Sequence, residues 1–421
     1  MKIVFVLECA NAITNGTGAT CYRFAEELRK KGHEIIMLGE KLAPGVESPF
    51  AYYGLPHFTF PIFEPLIVKE GFNFVKCDIK TMYEAIKGAD LVHLFLPFRL
   101  SSVARLIAEG LDVPVSAAFH LQPQNITGAF RMGKVKWINN IIIKGFRNYL
   151  FDHVAHIHCP SEMIRRQLVE AKYRNNVFHV ISNGITPFFH RIESPKPEEY
   201  KDKIIVTMVG RLASEKRQDL IIKAVAKSQY NDKIQLILCG QGPSKKRYLK
   251  LAEKKGLANP LDIRFVDQEQ LRKVLCYTDI YVHASDFEAE GISAMEALAC
   301  GAVPIISDAR YCATSAFAIS DKCKFRHGSS KSLRQRIEYF IEHPEEVAEL
   351  SEVYQTEGLS YHLARMVEKM EQMFEEVVAD HKAGKSTPQT RVRKKDQRAK
   401  KRIFKKLIRQ GVIAEFPPSL R

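Results

Sequence analysis

Residues 286–304, DFEAEGISAMEALACGAVP, set two carboxylates on either side of a glycine, between one strand-like run and another. Gly291 permits a sharp turn, and the helix favoured by the residues after it presents unpaired N–H groups on its first turn. Such donors, with Ile292 at the turn, suit hydroxyls or a phosphate. Glu288, just before the turn, can accept from hydroxyls of the same ligand, and Glu296, one and a half turns in, can reach a different part of it. Exposed capping acids (Asp286, Glu288, Glu290) are the plain alternative, because acids collect at helix N-termini. Glu296, however, stands inside the apolar run AMEALAC, where a carboxylate needs a partner.

Four more stretches carry chemistry. VGRLASEKR (209–217) puts Arg211 and Lys216 between a strand end and a helix start, an anion site best suited to a diphosphate. Solvated charges on a capped helix would have the same spelling. CGQGP (239–243) brings Gly240 and Gly242 to a strand end, with Pro243 expected to open a helix; it reads as close backbone approach to a ligand or as turn chemistry. In the first half, NGTGAT (15–20) offers Gly16 and Gly18, and AAFHLQPQN (117–125) ends a strand on His120. A histidine in that position is commonly a satisfied structural residue.

These residues need a framework. Apolar runs at 2–8, 33–38, 91–96, 113–119, 155–159 and 176–182 read as strands buried on both faces, with amphipathic helices between several of them, such as 19–32 closed by Gly32. The pattern breaks in the proline- and charge-rich stretch 182–203, then restarts at 204–210, 233–240, 261–266, 279–285 and 302–307. The fold class is therefore α/β: two tandem doubly wound Rossmann-like domains facing each other across a cleft. Expected boundaries are 1–185, a linker at 186–203, a second domain at 204–357, a helix at 358–384 packing back on the first domain, and a basic tail at 385–421 that belongs to neither core.

The 421 residues agree with two domains; 46% are hydrophobic and 26% charged, an ordinary globular balance. Nine cysteines with no CxxC pair point to reduced thiols in a cytoplasmic protein, and give no metal spacing. Glu8 interrupts a start that briefly imitates a signal peptide. The net charge of +15 implies phosphate somewhere among the partners.

Taken in order, GRLxxEK, GxGP and E-x7-E followed by EALACGAVPII resemble the second half of the retaining GT-B glycosyltransferases of the family-4 type (glycosyltransferase group 1), and the chain is similar to bacterial diacylglycerol glucosyltransferases. The resemblance implies sugar transfer from a nucleotide-sugar with retention, with no cofactor and no metal. It assigns Arg211 and Lys216 to the diphosphate, Glu288 to the donor sugar, Glu296 to the ribose, and Gly291 and Ile292 to the sugar and phosphates. It also assigns the Gly16–Gly18 loop to the donor phosphates and His120 to the sugar. Two departures stand out: Glu290 where the family usually has Phe, and ARYCATS (309–315) where a glycine pair with a later Glu is common. A glycosidase-like role for Glu288 as nucleophile is the weaker alternative, because a hydrolase has no use for a phosphate-binding set.

The acceptor is signalled only by charge. Residues 128–151 interleave basic side chains with Trp137, Ile141 and Phe146 and contain no acid before Asp152; KKRIFKKLIR (400–409) repeats the character. Such segments suit an anionic membrane surface, so 128–151 and 391–409 are expected to dock there, at the inner face of the cell membrane. The partners that follow are UDP-glucose as donor and a lipid as acceptor. A soluble or polysaccharide acceptor and a non-catalytic nucleotide-sugar binder are the alternatives; nucleic acid is not expected, since no reading motif accompanies the charge.

Overall fold

The structure is a computed structural model that describes residues 1–8, 16–59, 74–129, 132–133, 135–174, 176–385 and 393–421. Its chain forms two compact units, one of residues 1–181 with 367–421 and one of residues 182–366.

The first unit holds strands β1 (Lys2–Leu7), β2 (Glu34–Glu40), β3 (Ala51–Leu55), β4 (Leu91–Leu94), β5 (Val115–Ala118), β6 (His156–Cys159) and β7 (Val177–Val180). They pair in parallel in the order β3-β2-β1-β4-β5-β6-β7. KIVFVL after Lys2, and LVHL throughout, are buried because both faces of a parallel sheet are covered by crossover helices. The helix Gly16–Lys30 ends where expected, with Gly32 at φ 89°. Strand β3, AYYGL, was not anticipated; it is a half-exposed edge strand and lacks the long apolar run of its neighbours.

The second unit has a six-stranded parallel sheet. Its strands are β8 (Ile204–Val209), β9 (Ile234–Cys239), β10 (Asp262–Arg264), β11 (Ile280–His283), β13 (Val303–Ser307) and β15 (Lys324–Phe325), in the order β10-β9-β8-β11-β13-β15. A separate two-stranded pair joins β12 (Phe287–Glu288) to β14 (Tyr311–Cys312). The strand order reverses between β8 and β11, and in doubly wound sheets ligands bind outside the carboxyl ends at that reversal.

Two segments differ from expectation. Residues 186–203 are part of the second unit, with no free-standing linker. Phe189 is 1% exposed in its core, Lys196 pairs with Asp279 at 2.6 Å, and Tyr200 donates to Asp262 at 2.9 Å. Nor are residues 393–409 an appendage. They form the helix Arg393–Arg409, whose Phe404 and Leu407 are fully buried. A Cβ on Gly110, at the end of the helix Arg99–Gly110, would overlap the Phe404 ring, so glycine makes room for it. Asp396 completes the docking, reaching Arg105 at 3.0 Å and His153 at 2.8 Å. The helix expected over 358–384 begins at Leu363; before it, residues 360–362 turn, and Ile185 and Tyr361 share a backbone bond of 2.9 Å.

Candidate active site

At the carboxyl end of β8 the chain runs through Gly210 and Arg211 into a single 3₁₀ turn, Ser214–Lys216, and then into the helix Gln218–Ala226. Arg217 lies in the left-handed region, at φ 57°, and holds two acids, Asp219 and Asp286, each at 3.1 Å. Asp286 also accepts from the His327 ring at 2.6 Å, and its amide donates to the Glu215 carbonyl at 2.8 Å. The two loops at the strand-order reversal, after β8 and after β11, are therefore tied together by Arg217 and Asp286. Neither residue was assigned from sequence.

That tie brings Lys216 onto Glu288: the ammonium donates directly to the carboxylate. Burial disfavours both charges, but each offsets the penalty for the other. Lys216 is raised from its ordinary value, and Glu288 is held down to about 2, with Lys216 the leading cause and His283 the next. The pair is thus an ammonium and a carboxylate at neutral pH. Arg211, more exposed, pairs with Glu215 at 3.2 Å.

His283, the last residue of β11, is fully buried with Nε2 3.6 Å from Glu288. Burial keeps its ring below its ordinary value, so it faces Glu288 as a neutral imidazole. The only sequence signal for it was a histidine inside the apolar run IYVHAS. Beside it, Tyr281 reaches His283 at 3.4 Å and Ser293 at 3.3 Å.

Gly291 caps the helix Ile292–Ala299 at φ 100°, and a Cβ there would strike Thr314. Thr314 follows β14, whose Cys312 pairs with Glu288, so the turn, the carboxylate and the loop at 309–315 fit against one another. Ile292 starts that helix half-buried, and Glu296 lies on it, also half-buried. Glu290, in the family's usual Phe position, is 5% exposed and accepts from the Ser182 hydroxyl and, at 2.7 Å, from the Asn183 amide. It fastens the start of the unit to the site loop.

Gly240 and Gly242 have a packing role that is visible in the backbone. A Cβ on Gly240 would land on the Gly210 carbonyl, and one on Gly242 would lie 2.6 Å from the Leu212 carbonyl. The pair lets the loop after β9 lie against the loop carrying Arg211, sealed by Leu212 donating to Gln241 at 2.9 Å. Pro243 precedes the helix Lys245–Lys255, whose N-cap is Ser244.

In the first unit, Gly16 and Gly18 form the first turn of the helix Gly16–Lys30, with Gly16 exposed and Gly18 buried; Asn15 lies outside the described residues. His120 is 8% exposed, stacked on Phe95 at 5.7 Å and edge-on to His158 at 5.1 Å. Its Nε2 has no hydrogen-bond partner among the described residues, as is also true of His93 Nε2 and His158 Nδ1. Burial holds it well below its ordinary value, and so neutral.

Doubly wound units with cations at the strand-order reversal of the second are the features of a GT-B fold, and the family matches give its class. Residues 14–187 match the family described as Glycosyltransferase Family 4, and residues 190–357 match Glycosyl transferases group 1. The chain belongs to these family-4-type, group 1 glycosyltransferases. Alpha-monoglucosyldiacylglycerol synthase of Acholeplasma laidlawii is 23% identical over 73% of this chain and 80% of its own length. The GPI3 subunit of phosphatidylinositol N-acetylglucosaminyltransferase from Saccharomyces cerevisiae is 27% identical over 39% of this chain, which covers 37% of that subunit. Among solved structures, an Anabaena protein, HepE, in complex with UDP and glucose superposes with a TM-score of 0.67 at 15% identity, covering 89% of this chain and 100% of that one. At that identity the likeness is one of fold.

Proposed function

We propose that this chain transfers glucose from UDP-glucose to a membrane lipid such as diacylglycerol, with retention and with no metal on the diphosphate. The carrying observation is the Lys216–Glu288 pair at the strand-order reversal, with Arg211 on the same loop. An oxocarbenium-like transition state needs its leaving diphosphate stabilised, and Arg211, Lys216 and the first turn after Gly291 supply that positive charge. Glu288 stays ionised throughout the neutral range. It therefore accepts hydrogen bonds from sugar hydroxyls and has no proton to donate. Glu296 takes the ribose, and the departing phosphate oxygen takes the acceptor's proton. Neutral His120 offers a hydroxyl one donor and one acceptor nitrogen. The HepE complex holds UDP and glucose, which supports the donor.

Two features support a lipid acceptor besides the relatives' names. The helix Lys136–Tyr149 exposes Trp137 (65%) and Ile141 (61%), one turn apart, alongside Lys136 and Lys144. An exposed apolar pair flanked by lysines suits a headgroup boundary. The helix Arg393–Arg409 turns its apolar side inward and leaves Arg398, Lys401, Arg402, Lys405 and Arg409 outward, which suits attraction to anionic lipid. No described helix is long and apolar enough to cross a membrane.

The test is UDP release from UDP-glucose, with and without anionic vesicles containing diacylglycerol. Release that requires both vesicle and diacylglycerol is the expected result. Release indifferent to vesicles moves the acceptor into solution, and absence of release with every nucleotide-sugar and acceptor makes the chain a binder.

A further inference from the structure

Away from the proposed donor site, the first unit gathers a set of side chains that the transferase reading does not use. His156 on β6 and His179 on β7 stand on adjacent parallel strands, where the register pairs His156 with Val177. His179 is two residues beyond Val177, so both imidazoles leave the same face of the sheet. Their rings stack at 5.3 Å, with His156 Nδ1 3.0 Å from His179 Nε2. Over them lies the helix Leu363–Lys382. Its Glu376 and Asp380, one turn apart, address one histidine each: Glu376 is 3.9 Å from His179 Nδ1 and Asp380 is 3.3 Å from His156 Nε2.

We propose that His156, His179 and Glu376 form a binding site for a divalent transition metal, zinc by its donor set. Each of the three can bring one ligand atom to within 4.8 Å of the others, which no other group among the described residues does. Ligands about 2 Å from a tetrahedral ion stand about 3.3 Å apart, so the facing nitrogens are already near ligand spacing. Two imidazoles and a carboxylate are a borderline donor set that favours zinc over magnesium or calcium. Asp380, 3.3 Å from the opposite nitrogen of His156, favours the tautomer that turns Nδ1 toward the ion. An ion there displaces the proton shared between the facing nitrogens, which leaves to solvent. His156 is 1% exposed and Glu376 half exposed, so the ion has an entry path along the helix. Its effect is to pin the returning helix to the β6–β7 edge of the sheet. The ligands come from three distant segments, and for that reason no spacing in the sequence announces them.

The test uses the full chain after treatment with a chelator, titrated with Co²⁺ and followed by the visible absorption of tetrahedral cobalt. The expected result is about one cobalt per chain, displaced by Zn²⁺. Glu376→Gln and His179→Ala should each weaken it by at least roughly tenfold, whereas His190→Ala, at an exposed histidine of the other unit, should not. Zn²⁺ should also raise the unfolding temperature of the wild type and not that of Glu376→Gln, a substitution at a half-exposed position that the fold tolerates. Cobalt bound equally by wild type and Glu376→Gln, or a spectrum of octahedral cobalt alone, overturns the site. None of these readouts depends on transferase activity.

Discussion

Glu288, half-buried, and Glu8, fully buried, are carboxylates that follow central strands, one in each unit, and they have opposite protonation states. Glu288 has Lys216 against it and His283 beside it, and is held down to about 2. Glu8 is 1% exposed, and neither of its oxygens finds a hydrogen-bond partner among the described residues. Burial pushes it up to about 8, and the nearby backbone amides of Leu100 and Ser101 offset only part of that penalty. Burial alone neutralises a carboxylate; a fixed cation reverses the outcome. The second unit thus keeps a permanent anion at its site loop, whereas the first keeps a group that changes charge near neutrality.

The contrast is tested most severely at the pair. Glu288→Ala and Lys216→Ala should each lower transfer by roughly 100-fold or more, with UDP binding retained in Glu288→Ala. Activity within tenfold of wild type in either variant would mean that the pair is only structural. In the first unit, His120→Ala should cost roughly 10- to 100-fold in rate, with little change in unfolding temperature because its Nε2 has no hydrogen-bond partner among the described residues. A large loss of stability instead would return His120 to the core.

Stability against pH separates the two acids. Glu8 has a raised value, so its contribution is complete below the ordinary glutamate value and is lost as pH rises toward and through about 8. Glu8→Gln should therefore flatten the fall in unfolding temperature that the wild type shows between the ordinary glutamate value and about pH 8. Glu288 has a depressed value, so its contribution is present above the ordinary value and is lost as pH falls toward about 2. Glu288→Gln should change only the acid limb. An unchanged fall over that window in Glu8→Gln would show that other groups set it.

The smallest effects are expected at the membrane-facing helices. Trp137→Ser should weaken vesicle binding by about tenfold, and Lys401→Ala or Lys405→Ala by about fivefold, given about 1 kcal/mol per basic residue near an anionic surface. Sedimentation with vesicles at two salt concentrations measures both, and only the lysine effect should fade with salt.

Much of the second unit was legible because its elements carry strong local signals: unbroken apolar strands and glycines at strand ends. Arg211, Lys216, Glu288 and Gly291 could be singled out as candidates because ligands bind at strand ends in such sheets. What failed to show depends on contacts between distant residues. The unit begins at Ser182 because Glu290 captures Ser182 and Asn183, and that bond has no local signature. His283 looked like any residue of a buried strand. The helix Arg393–Arg409 passed for a tail because its buried residues, chiefly Phe404 and Leu407, are few among many charges. Gly240 and Gly242 left ligand approach and turn chemistry both open in the sequence, and the close contacts with the Gly210 and Leu212 backbone appear only in the fold.

The packing of Phe404 over Gly110 also orders events during synthesis. The second unit is one continuous stretch of chain and can close as soon as it leaves the ribosome. The first must wait, its helix Arg99–Gly110 uncovered, until residues from the far end arrive. A chain broken off before Phe404 therefore carries a finished second unit beside an unfinished first one, with apolar surface left open for chaperones and proteases to find.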